Sequence, residues 1–254
     1  MTRRFFPFSP RLLLLLLPLV ALFAPSCNDE NAPDCFTSTG RTVQQRRPIS
    51  AFTEIVLQDD IDLYLTHTPD STVLVEAGEN LMPKIEVTQQ GATLSIRNRN
   101  TCNWVRTYQR PVKVTVGVPR DHLVLRHLGF GTIRSAEPLA ISYLVVASFD
   151  ASGDVQLDGK LDYVVLYANS PAHITLSGQS ESLEAWLHGN FGRLSAEGLQ
   201  TKVCKLRHDG SNEMRVFPLD ELHATISANG TVAYYNEPAR LTSEITQNGK
   251  LVRR

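Results

Sequence analysis

Apolar and polar residues alternate in short runs along most of the chain. "ATLSIR" (Ala92 to Arg97), "VKVTVGV" (Val112 to Val118), "DVQLD" (Asp154 to Asp158) and "AHITLS" (Ala172 to Ser177) all have period two. That period places successive side chains on opposite faces of a strand, with one face buried. After residue 47 no stretch carries the 3.6-residue period of a long helix, so the pattern predicts an all-β fold. Residues 48 to 128 read as strands of irregular spacing, among them "FTEIVL", "IDLYLT", "STVLVEA" and "HLVLRHL".

Turn residues then choose the architecture. Corners at Gly131, Gly153, Pro171, Asn190, Gly210, Gly230 and Gly249 are separated by 22, 18, 19, 20, 20 and 19 residues. A second series at Pro138, Gly159, Gly178, Gly198, Pro218 and Pro238 has intervals of 21, 19, 20, 20 and 20. Two punctuation series sharing one period signal a repeat. Twenty extended residues reach at most ~66 Å, one coil of a three-sided parallel β-helix and too little for a propeller blade. Seven corners stacked at ~4.8 Å give a repeat section about 30 Å long. An antiparallel β-sandwich with regular hairpins is the alternative, since it also spaces its turns regularly.

Alternation assigns Val155, Leu157, Val164, Leu166, Ile174, Leu176, Leu183, Leu187, Met214, Val216, Leu222, Ala224, Ile226, Val232 and Ile245 to the core. The pair Asn229-Gly230 would signal a hairpin in isolation. Within the ladder it reads as a left-handed corner, held by residues that tolerate positive φ. The expected organisation is a segment 1–26 to be removed, a tether 27–47, and one β-helix domain 48–254. Within that domain, 48–128 form a cap and first coils and 129–254 the regular coils. The cap is expected because a solenoid end exposes an open edge.

The first segment has the form of a secretory signal. Arg3, Arg4 and Arg11 precede an apolar run from Leu12 to Phe23, too short to span a bilayer as a helix. An uncleaved anchor is the alternative. "APSCNDEN" follows, and it is similar to a lipobox, with Cys27 as the lipidated mature N-terminus. Ala24 stands where Leu is usual, and ordinary signal-peptidase cleavage leaving Cys27 unmodified remains open. Asp29 and Glu30 resemble the surface-export signal of Bacteroidetes lipoproteins. The expected location is the outer membrane, lipid-anchored and surface-exposed, with a periplasmic placement as the alternative. Of the other cysteines, Cys35 and Cys102 lie in polar, turn-rich contexts and are expected to form the disulfide. Cys204 shares the phase of Leu206 and is expected as a reduced core residue.

Charge narrows the function little. The 254 residues carry a formal net charge of −1, which gives no global attraction to nucleic acid. No nucleotide loop, zinc spacing or hydrolase elbow is present, and no cofactor or metal is expected. Carboxylates one coil apart, Asp162 with Glu181 or Glu184 and Glu197 with Glu213 or Asp220, form no set of three and read as solvated charge. His188 and His208 are one period apart and could approach on neighbouring rungs, with Asp209 beside them. No third ligand recurs, because Ala168 and Ala228 occupy the equivalent positions. The large aromatics are Trp104, Tyr108, Tyr163, Tyr167, Trp186, Tyr234 and Tyr235. In "DYVVLYA", Tyr163 and Tyr167 oppose Val164 and Leu166, so both are expected to face outward, where aromatics can stack on sugar rings or meet a protein.

The run "RPISAFTEIVLQDDIDLYLTHT", then "VLVEAGENLMPKIEV", "TLSIRNRNTCNW", "VKVTVGVP" and the SG- and NG-punctuated coils resemble the putative auto-transporter adhesin, head GIN domain family. The resemblance covers residues 48 to 254. It implies a right-handed parallel β-helix and an envelope lipoprotein, and supplies no catalytic residues. Gly131, Gly153, Gly210, Gly230 and Gly249 match the family's glycines, while "NSPA" around Pro171 departs from them. The reading that follows is a non-catalytic lipoprotein, held to the membrane by its N-terminal lipid and presenting a rigid face to a surface glycan or protein. A carbohydrate-active β-helix enzyme and a structural module of an envelope complex are the alternatives.

Overall fold

The computed structural model describes residues 38–67, 70–101, 112–189 and 192–254. The signal segment, Cys27, Cys35, Cys102, Trp104, Tyr108 and Asn190 lie outside the described residues, and with them the lipidation and disulfide expectations.

The described chain is an all-β solenoid of about six turns, built of stacked parallel strands. The long strands β11 (Val155–Ala168), β12 (His173–His188), β13 (Arg193–Asp209) and β14 (Glu213–Ile226) each bend once and serve two sides of a coil. Their N-terminal parts continue a first wall that includes β3 (Ile61–Thr66), β9 (Ile133–Ser135), β15 (Thr231–Tyr234) and β17 (Lys250–Arg253). Their C-terminal parts continue a second wall with β2 (Glu54–Asp59), β8 (His122–Gly129), β10 (Leu139–Ser148) and β16 (Arg240–Ile245). The bends, near Gly159 and Gly178, form a short third side. Gly159 and Gly178 have φ of +149° and +105°, which side chains rarely adopt.

The N-terminal cap changes strand direction. β6 (Thr93–Asn98) and β7 (Val112–Gly117) pair in parallel with β2 and β3. Beyond them, β5 (Ile85–Gln90) pairs antiparallel with β6 and β4 (Thr72–Gly78) with β7, and β1 (Thr42–Pro48) closes the edge on β4. The first coil, β2–β3, is thus sandwiched between cap strands later in sequence and the next coil. Residues 42–47, expected as tether, belong to the cap. As an edge strand, β1 needs little apolar content, and Arg41–Glu79 and Arg46–Asp70 ion pairs flank it.

The core runs along the axis. Of the fifteen core residues expected from alternation, fourteen are buried. Full burial of one such aliphatic side chain contributes about 1.5–3 kcal/mol. Ile245 is the exception, at 43% exposure: it pairs with buried Ile226, and no described coil stacks on β16 to cover it.

The corner glycines have a different cause from the one expected. Gly131, Gly153, Gly210, Gly230 and Gly249 are absent from the positive-φ residues, as is Asn229. They are glycines because the neighbouring coil lies where Cβ would stand. A Cβ on Gly153 would sit 1.9 Å from the Gly131 carbonyl oxygen, and one on Gly230 would sit 2.1 Å from His208 Nε2.

Candidate functional site: an aromatic wall

Outward residues of the second wall form columns, because parallel register stacks each outward position on its counterpart in the next coil. Tyr143 pairs with Tyr163, and His122 meets the Tyr143 ring edge-on at 5.3 Å. Val124, Val145 and Val165 form the next column, partly exposed. Beyond it, Tyr167 and Trp186 are register partners and pack edge to face at 5.1 Å. Arg207, the next residue in that column, places its guanidinium carbon 5.4 Å from the centre of the Trp186 ring. Tyr163 and Trp186 are 53% and 40% exposed. Along β11, Tyr163 and Tyr167 are separated by about 13 Å. The result is a flat, rigid surface with aromatic groups at both margins and valines between, able to stack on a ring-shaped ligand.

Tyr163 faces outward as expected, and Tyr167 is half-buried against Trp186. Tyr143 was not singled out from the sequence, although it lies twenty residues before Tyr163; that spacing was the available signal. Phe130 is also exposed, at the tip of a corner.

The histidines one period apart do not stack. Thr175 pairs with Ser195, but Ser177 pairs with Gly198, so β13 gains one residue at a bulge. The slip sets Leu187 opposite His208 and His188 opposite Asp209. His188 therefore points outward, with Nδ1 3.5 Å from Asp209 Oδ2, while His208 is fully buried. His208 Nε2 donates to the Asn212 carbonyl at 2.7 Å, and Nδ1 accepts from the Gly210 N–H. His127 repeats the arrangement at an earlier corner, bonding the Gly131 carbonyl at 2.9 Å. "HLGFG" and "HDGSN" share the offset from histidine to bonded carbonyl, which sequence reading missed. Burial holds the His127 imidazole below its ordinary value, opposed by the Gly131 bond and by Asp154. These are corner supports. Among the described residues no group of three or more His, Cys, Asp or Glu side chains could hold a metal.

Four of the six carboxylates singled out, Asp162, Glu181, Glu197 and Glu213, are paired with cations. Glu181 lies 2.7 Å from Lys202, and Arg215 bridges Glu213 and Glu197 at 2.7 and 3.4 Å. Asp162 has Lys160 at 3.8 Å. Cys204 is free and buried, and burial pushes its thiol up to about 12.

Comparison with known proteins agrees with the fold. A putative adhesin from Bacteroides fragilis superposes with a TM-score of 0.72 at 16% identity, over 84% of this chain and 97% of that one. A putative adhesin from Parabacteroides merdae gives 0.58 at 18% identity, over 85% and 98%. A protein described as a putative lipid binding protein from Parabacteroides distasonis gives 0.57 at 18%, over 85% and 98%. Among curated proteins there is no match. The family model described as putative auto-transporter adhesin, head GIN domain, matches residues 51–238, and the chain belongs to that family.

Proposed function

We propose that the protein is a non-catalytic envelope lipoprotein that binds a surface glycan through the aromatic wall. The observation that carries this reading is the outward set Tyr143, Tyr163, Tyr167 and Trp186 on one sheet face. Sugar rings present flat C–H faces that stack on such groups. The solenoid holds them rigid, so little ordering entropy is lost on binding. The family's adhesin description and the ion-paired state of the carboxylates support binding over catalysis. Cys27 carries the lipid that anchors the protein to the outer membrane, with the solenoid on the outer face.

A screen of the purified protein against immobilised glycans and matrix proteins tests the binding. Retention on a glycan, lost on Trp186→Ala, is expected; binding only to proteins, or binding indifferent to Trp186, contradicts it. Mass spectrometry of the mature N-terminus tests the anchor, and an unmodified Cys27 rules it out. Protease added to intact cells tests exposure: degradation is expected, and protection until the outer membrane is opened places the protein in the periplasm.

A further inference from the structure

The aromatic wall leads into a recess of about 340 Å³ lined by Trp186, Lys205, Leu206, Arg207, His223 and Thr225. No carboxylate lines it. The nearest ones stand at its edges. Glu184 is the register partner of Lys205, and Glu244 that of Thr225. Glu221 accepts from His223 at 3.0 Å and pairs with Arg240 at 2.8 Å. Lys205 and Arg207 are both exposed; Lys205 stands opposite Glu184 and adds to the His223 hydrogen bond in holding the Glu221 carboxyl below its ordinary value, whereas Arg207 makes no ion pair among the described residues. Lys202 on β13 and Arg240 on β16 do have ion-pair partners. Arg207 therefore borders an exposed indole without an ion pair of its own, and its guanidinium is already held over the ring.

We infer that this recess takes the acidic sugar of an anionic glycan, a pyranose bearing a carboxylate. The sugar ring packs on the exposed part of Trp186 beside the guanidinium, and the carboxylate receives the Arg207 fork. A planar guanidinium suits a carboxylate because two N–H groups donate in parallel. The inference rests on the aromatic wall being the binding face, and adds the charge of the ligand.

The test uses carboxylated oligosaccharides (galacturonate, glucuronate-containing and sialylated), each paired with its methyl ester, and titration calorimetry with the purified protein. At least one acid is expected to bind about tenfold or more tighter than its ester, since charged hydrogen bonds are the stronger ones. Arg207→Gln is expected to abolish that preference. Trp186→Ala is expected to weaken acid and ester alike. Thermal unfolding of each variant confirms that it is folded, and both substitutions lie on the surface. Equal binding of every acid and ester, no acid bound, or a preference that survives Arg207→Gln would overturn the inference. Equal binding that still depends on Trp186 overturns only the acidic preference. Binding indifferent to Trp186 overturns the aromatic wall itself.

Discussion

The two long walls of the solenoid are made from the same strands, yet their outer faces differ in kind. On the first wall polar groups satisfy one another from coil to coil. Ser177 donates to Asp158 at 2.6 Å, the Asp158 N–H donates to Ser135, and His173 bonds Ser195 at 2.8 Å. On the second wall the columns hold tyrosine, valine and tryptophan and then pass through Lys205 and Arg207 to His223 and Thr225. A parallel stack repeats each outward position at ~4.8 Å, so either kind of column can be self-consistent. The first wall consumes its bonding capacity internally. The second pairs some of its charges, such as Glu221 with Arg240, but leaves aromatic and apolar area exposed, which suits the proposed recognition.

Both walls depend on the corners, so a corner substitution should break them together. Gly153→Ala drives a methyl into the Gly131 carbonyl and should cost more than about 3 kcal/mol, read by denaturant unfolding. An intermediate effect should separate the walls. Ser177→Ala removes a part-buried bond to a carboxylate and should cost about 1 kcal/mol. Tyr163→Ala, from an exposed position, should stay within about 0.5 kcal/mol. Equal costs would erase the distinction in stability.

Acid should act from behind the second wall. The folded-state value of His127 is lowered from 6.5, so below about that pH the unfolded chain binds more protons. Stability is therefore full above that pH, declines as pH falls through 6.5, and levels off below the lowered folded value. His127→Gln should flatten this slope in thermal unfolding between pH 7.5 and 5. The smallest effect is expected at the rim of the first wall. Arg254→Gln breaks an exposed pair with Glu213 and should change stability by less than about 0.5 kcal/mol.

Much of this was legible in the sequence, because period two and a period near twenty both leave direct marks. Val155, Leu157 and Ile174 could be placed inside from alternation alone, and Tyr163 outside. What stayed hidden was non-local. Glycine at a corner is compatible with positive φ and with close approach, and only the neighbouring coil decides between them. The direction of His208 depends on one extra residue in β13, and a one-residue slip reverses every face after it. The same slip puts Arg207 over Trp186 at an offset of twenty-one, outside a strict twenty-residue comparison. The insertion of β2–β3 between cap strands and later coils is a long-range pairing that no local pattern records.

The most direct test is a single comparison on one glycan array, with wild-type protein, Trp186→Ala and Ser177→Ala side by side. The wild type and Ser177→Ala should give the same bound glycans at similar strength, while Trp186→Ala should lose at least tenfold. Binding retained by Trp186→Ala, or lost in Ser177→Ala while that variant remains folded, would contradict the assignment of recognition to the second wall.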